Sequence, residues 1–366
     1  MAAIVLDGHK LAWHADRVAA WLAGERVAPV TIDCALTRRC TYRCVYCYGR
    51  LQANAEKPMT REVVLSFLDD AAEIGVKAVS FVSDGESTCS PHLNEAILHG
   101  RSLGLDMALG TNGYLLDRER LPEILPALTY LRFNISAGEP GPYAAIHGCA
   151  EKCFHRVTGT IAEAVAVKRR LGLPVTIGLQ MVLMPHLAPQ IMPLARLGKA
   201  LGVDYLVIKH CSDDERGSLG VDYAGYAALT DLLKQAEALS DDTYLVRAKW
   251  SKILSGGQRC YSRCYGPPFM MQFSGSGLVA PCGMLFNERY KRYHIGNISE
   301  TRFKTIFLSD RYREVLDEIA SPRFDARTMC GTLCLQHKIN EALWDIKTKG
   351  ASLAPAGEPP MHVNFI

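Results

Sequence analysis

The chain has 366 residues, 48% of them hydrophobic and 22% charged, enough apolar matter for one large core and a smaller one. Its net charge of +3, with no long run of Lys or Arg, gives no support to a nucleic-acid partner, and no stretch approaches the roughly 18 consecutive apolar residues of a membrane span. The first residues, MAAIVLDGHKLAWHAD, acquire charge too early for a secretory signal, so the expected location is the cytoplasm, with no membrane partner.

Short apolar runs then alternate with amphipathic stretches. Strands are expected at 29–36 (PVTIDCAL), 78–82, 106–110, 130–136, 175–183 and 205–209, with helices at 61–74, 93–103, 159–171 and 191–201. The third strand ends in the turn signal Thr111-Asn112-Gly113. Alternating strand–helix units build a parallel sheet, and six are too few for a closed eight-stranded barrel. The expected fold class is therefore α/β, a partial (β/α)6 TIM-like barrel. Gly, Cys and aromatic residues rise after about 255, where Ser255-Gly256-Gly257 reads as a hinge. The expected division is an N-terminal extension at 1–27, the barrel at 28–250, a cysteine-bearing domain at 255–346 and a tail at 347–366, with 351–360 as an extended arm.

Thirteen cysteines are the unusual feature. In a long cytosolic chain, clustered cysteines mean metal or redox chemistry more often than disulfides. Eight fall in two clusters, while Cys34, Cys89, Cys149, Cys153 and Cys211 read as buried filler. The first cluster, Cys40-Thr-Tyr-Arg-Cys44-Val-Tyr-Cys47, follows the first strand, at the end of a barrel where active sites lie. Zinc needs a fourth ligand nearby, and none follows locally. Three thiolates suit a four-iron cluster with one iron open to a small chelating ligand.

This C-x3-C-x2-C loop is the signature of the radical S-adenosylmethionine (SAM) superfamily, which the chain resembles over residues 28–250. The resemblance implies a [4Fe–4S] cluster held by Cys40, Cys44 and Cys47, with the amino and carboxylate groups of SAM on its open iron. One electron then breaks a sulfonium C–S bond, and a 5′-deoxyadenosyl radical abstracts a substrate hydrogen. Tyr46 would pack beside the adenine. Glu86 lies in Ser83-Asp84-Gly85-Glu86-Ser87, where the family carries Gly-Gly-Glu-Pro, and would accept a hydrogen bond from the SAM ammonium. Asp84 and Ser87 depart from that motif. Asn112 lies in the family turn after the third strand. Asn134 and Ser136 match positions that contact the methionyl group or ribose, or else cap the strand end. Residues 143–148 (YAAIHG) also fit the family pattern.

Cys264, Gly277, Cys282 and then Cys330-Gly-Thr-Leu-Cys334 resemble the auxiliary-cluster extensions of the same superfamily, the SPASM and twitch domains, each a small β-hairpin plus helix. Gly277 would sit at the hairpin turn, and the last pair would open the closing helix. Five cysteines, at 260, 264, 282, 330 and 334, are fewer than a two-cluster SPASM domain carries. The twitch type implies a second, auxiliary [4Fe–4S] cluster on Cys264, Cys282, Cys330 and Cys334. A structural zinc site on the same four is the alternative. Cys260 is left as an alternate ligand, as a hydrogen donor to a substrate radical, or as packing.

Lys209 and His210, ending the sixth strand, could hold a substrate phosphate or carboxylate or take up a proton. Asp213, Asp214 and Glu215 could hold amines or hydroxyls, or form a solvated loop. Gln180 lies towards the end of the fifth strand, and Arg259 near the auxiliary cysteines could also face the pocket. The expected function is a radical SAM oxidoreductase or epimerase acting on a small molecule such as a sugar or aminocyclitol. A maturase of peptides or proteins is the alternative. Such enzymes often carry an N-terminal recognition domain, for which the 39 residues before Cys40 leave no room unless a partner supplies it. The implied electron donor is a flavodoxin or ferredoxin.

Overall fold

Seven short strands alternate with helices in the first part of the chain: β1 (Thr31–Cys34), β2 (Ala78–Phe81), β3 (Asp106–Thr111), β4 (Leu128–Asn134), β5 (Thr176–Leu183), β6 (Tyr205–His210) and β7 (Leu245–Ala248). The computed structural model describes residues 4–55, 57–332, 334–355 and 357–366. β1 to β7 lie in chain order, each parallel to the next. β1 and β2 are buried at every position, as in a parallel sheet covered on both faces. Helix Arg61–Ile74 shows how the crossovers are punctuated: Thr60 Oγ1 accepts from Val63 N at 3.4 Å, and Gly75, at φ +95°, ends it.

The partial barrel is the architecture observed, with one strand more than the six expected. β7 lies at the sheet edge, and the exposed Arg247 breaks its apolar run, so no continuous run marks it in the sequence. Helix Lys152–Leu171 also begins well before Gly159.

The same sheet continues on the other side of β1 with β8 (Met270–Phe273), β9 (Leu278–Ala280) and β10 (Gly296–Asn297). β8 runs parallel to β1, from Thr31 opposite Met270 to Cys34 opposite Phe273. β8 and β9 form an antiparallel hairpin with Gly277, at φ +83°, in its turn. The segment beyond Ser255–Gly257 is thus bonded directly to the first barrel strand.

Asp70 fastens helix Arg61–Ile74 to the chain that follows β10. Its buried carboxylate accepts from Arg302 Nε at 2.9 Å and from Lys304 N at 3.1 Å. Asp70→Asn is expected to lower stability by about 1.5–3 kcal/mol, nearer the lower figure because the Arg302 side is solvent-screened. A urea unfolding curve reads this, and an unchanged midpoint would contradict the fastening.

The end of the chain crosses the amino ends of the strands. Thr31 Oγ1 donates to Asn364 O at 2.6 Å, Asn364 Nδ2 donates to Asp106 Oδ2 at 2.8 Å, and Thr176 Oγ1 pairs with His362 Nε2 at 2.9 Å. Those three partners begin β1, β3 and β5. The stretch expected as an extended arm therefore leads to an anchored end, and the carboxyl ends of the strands form the open mouth. Among the described residues no helix is long and apolar enough to cross a membrane.

Candidate functional site

At that mouth the three cysteines of the first cluster lie on one loop and line one cavity of about 290 Å³. Close backbone packing sets the loop's place. A Cβ on Gly85 would stand 1.8 Å from Thr37 O, and one on Gly275 would stand 2.1 Å from Thr37 C. Only glycine lets these two turns close on the chain that leads to Cys40. Arg43 N donates to His147 O at 3.0 Å and Val45 N to Ile146 O at 2.9 Å, which holds the loop against helix Pro140–His147.

The thiols of Cys40, Cys44 and Cys47 are free. Burial pushes Cys40 up to about 11 and raises the other two, and Cys44 is raised further by its thiol neighbours Cys47 and Cys40. Three thiolates can share this place only with positive charge between them. The donor set fits an iron–sulfur cluster held by three cysteines, with one iron left for SAM.

His147, within the YAAIHG stretch but given no role there, is fully buried behind Cys44. Its Nε2 accepts from Ser136 N at 3.1 Å, which leaves the proton on Nδ1, 3.2 Å from Cys44 Sγ. Burial lowers its pKa to about 3, so the ring stays neutral and donates to the sulfur. A hydrogen bond to a ligating sulfur raises a cluster's reduction potential. His147→Phe is expected to lower the potential of the SAM-binding cluster, read by a redox titration followed by EPR. An unshifted midpoint would show that the imidazole only packs.

Glu86 lines the same cavity. Its Oε1 accepts from Thr88 N at 3.1 Å, Thr88 Oγ1 at 2.8 Å and Thr111 Oγ1 at 2.7 Å, while among the described residues Oε2 accepts only from Asn112 N, at 2.7 Å. Oε2 keeps capacity for a further donor, which suits an ammonium. Asp84, where the motif departs from its Gly, is a strut: it accepts from Ser274 Oγ at 2.6 Å and Gly275 N at 2.9 Å, tying the motif to the hairpin turn. Asn112 reaches Thr41 Oγ1 at 3.0 Å, and Asn134 accepts from Gln180 Nε2 at 2.7 Å; all but Thr41 line the cavity.

Other expected residues are not at the cavity wall. Ser136 is fully buried and donates to the hydroxyl of Tyr46 at 3.0 Å, so it positions that ring, which does line the cavity. Cys260 is exposed, with its Sγ 3.6 Å from Glu341 Oε1. It sits on the surface beside helix His337–Lys349, which corrects its reading as a hydrogen donor to a substrate radical. Asp213 and Asp214 are neither solvated nor free for substrate. They are buried in a turn, accepting from Leu219 N at 2.9 Å and Ser218 Oγ at 2.7 Å. Lys209 and His210 do line the cavity, joined by Lys252, which the sequence reading missed because β7, just before it, was missed.

Cys264 precedes β8, Cys282 follows β9, and Cys330 and Cys334 precede helix His337–Lys349; these four make the candidate second site, although among the described residues they are not drawn together as a formed metal site. Burial drives the thiols of Cys264, Cys282 and Cys330 upward, Cys330 to about 11, and neighbouring Cys334 adds to each shift. The four thiols thus lie near one another, and four cysteines are the donor set that a closed [4Fe–4S] cluster takes. Arg259 does not face the cavity. It is buried beside these thiols, donating to Ala326 O at 2.6 Å and to the carbonyls of Gly331 and Thr332. Lys252 Nζ donates to Cys334 O at 2.5 Å and so touches both sites.

Comparison with known proteins finds both domains. The Radical SAM superfamily model matches residues 35–196, and that of the SPASM iron–sulfur cluster-binding domain matches 264–334. PqqA peptide cyclase of Bradyrhizobium diazoefficiens is 32% identical over 151 residues, 41% of this chain and 38% of the relative. The chain thus spans about two fifths of that relative's length. The tungsten-containing aldehyde ferredoxin oxidoreductase cofactor-modifying protein of Pyrococcus furiosus is 22% identical over 76% of this chain and 80% of the relative. The crystal structure of Streptococcus suis SuiB bound to S-adenosylmethionine superposes with a TM-score of 0.64 at 15% identity, covering 83% of this chain and 72% of that one, and shows the shared fold. The peptide cyclase match corrects the expectation of a sugar or aminocyclitol substrate for dehydrogenation or epimerisation.

Proposed function

This chain is a radical SAM enzyme with a C-terminal SPASM cluster-binding domain, and from that premise we propose that it is a maturase that modifies a peptide or protein. The match to PqqA peptide cyclase, 32% identical over 151 residues, carries this reading. Bound at the two sites, the clusters and SAM would supply a 5′-deoxyadenosyl radical at the cavity and an electron acceptor within the same chain.

The residues divide the remaining work. Cys40, Cys44 and Cys47 hold the SAM-binding cluster. Glu86 Oε2 takes the SAM ammonium, with the carboxylate oriented by Thr88, Thr111 and Asn112. Tyr46, fixed through Ser136, packs beside the nucleoside. Cys264, Cys282, Cys330 and Cys334 hold the auxiliary cluster. Hydrogen removal from a peptide side chain then leads to a crosslink or an oxidised side chain, and a flavodoxin or ferredoxin supplies the initiating electron.

The test is anaerobic reconstitution followed by incubation with SAM, a reductant and short peptides encoded beside the gene. About eight irons per chain are expected, with 5′-deoxyadenosine formed and one peptide losing two hydrogens by mass. Deuterium carried from that peptide into 5′-deoxyadenosine would identify the position attacked. Deoxyadenosine formation that no peptide stimulates, but a small metabolite does, would overturn the substrate class.

A further inference from the structure

The cavity end formed by β6 gathers basic side chains with few partners of their own. Lys209 and Lys252 both line it, and Lys209 forms no hydrogen bond or ion pair with any described residue. Arg132 lies close beneath, with its Nε unpartnered. His210 is 1% exposed, lines the same cavity, and neither ring nitrogen has a hydrogen-bond partner. A buried imidazole without partners is costly unless something arrives to satisfy it.

The carboxyl groups nearby do not balance these cations. Asp33, paired with Gln272, is pushed up to about 7 by burial, and Glu86 accepts from four protein donors and keeps its remaining capacity for the SAM ammonium. Burial, followed by Arg132 and Lys252, holds Lys209 down at about 7, as befits an ammonium lacking its counter-ion. The residues proposed for SAM's amino-acid end lie after other strands of the sheet. Glu86 and Asn112 follow β2 and β3, whereas Lys209 is on β6, three strands further along the sheet.

We infer that this end of the cavity is a carboxylate subsite, in which Lys209, His210 and Lys252 take the side-chain carboxylate of an acidic residue in the substrate. In a peptide the internal anionic groups are Asp and Glu, and a lysine ammonium with an imidazole N–H offers them charge-assisted donors. The carrier of the carboxylate rests on the peptide reading; the subsite itself does not.

Reconstituted holoenzyme loaded with SAM is titrated calorimetrically with N-acetyl-glutamate N-methylamide, its glutamine counterpart, and free glutarate. The acidic capped residue is expected to bind about tenfold tighter than the amide, as one charged hydrogen bond implies. Lys209→Met and Lys252→Met should each erode that preference, and Lys209→Arg should restore it, with SAM affinity unchanged throughout. Equal binding of acid and amide, or a preference intact in both methionine variants, overturns the subsite. So does a Lys209→Met variant that loses SAM affinity as much as acid affinity, because the anion held would then be SAM's carboxylate. Tight glutarate with no binding of the capped residue supports the subsite and refutes the peptide reading.

Discussion

Replacing Cys40, Cys44 and Cys47 together by alanine is expected to abolish 5′-deoxyadenosine formation and to halve the iron, from about eight to about four atoms per chain. The loss is total because no other described cysteine lines the cavity and could substitute. The fold should survive. The loop is placed by backbone contacts at Thr37, Gly85 and Gly275 and by bonds to helix Pro140–His147, none of which uses a thiol. Circular dichroism and the thermal midpoint serve as controls, with iron analysis and mass spectrometry as the readouts. A brown protein that still cleaves SAM after all three changes would end the account of the site.

Cys282→Ala should have the second largest effect, and of a different kind. Cys282 is buried near Cys264, Cys330 and Cys334, so its loss removes a quarter of the proposed donor set. Iron is expected to fall towards about four per chain, while SAM cleavage continues and peptide product is lost. Arg259 and Lys252, whose donors brace the carbonyls of Gly331, Thr332 and Cys334, would then face a collapsed loop, and the thermal midpoint should fall. Product formation at the normal rate would show that the second site is structural. Zinc in place of iron in the parent protein would show the same by analysis.

Much of this was legible in the sequence because the informative features are local. C-x3-C-x2-C fits on a single turn of loop, and an apolar run followed by a periodic stretch announces a strand and its crossover. Features that depend on distant backbone were not legible. His147 acquires its role from Ser136 on one side and Cys44 on the other, 103 residues away along the chain. Lys252 meets the cavity because an edge strand, its apolar run broken by Arg247, comes just before it. Cys260 and the Asp213–Asp214 pair misled in the opposite direction: reactive side chains near a motif suggest a site, but their neighbours place one on the surface and the others inside a turn. The substrate was misjudged for a related reason. A residue count before Cys40 measures chain and not the chemistry of the cavity wall.

The pairing of β8 with β1 bears on how such enzymes can be cut and recombined. A fragment stopping near residue 250 would bare the outer edge of β1, leaving unmatched the amides and carbonyls that face β8, next to the cysteine loop. That fragment should self-associate through the rim instead of behaving as a minimal catalyst. A chimera that borrows a foreign auxiliary module must import a strand in register with Thr31–Cys34 along with the cysteines, or the graft would leave the catalytic loop without its outer wall.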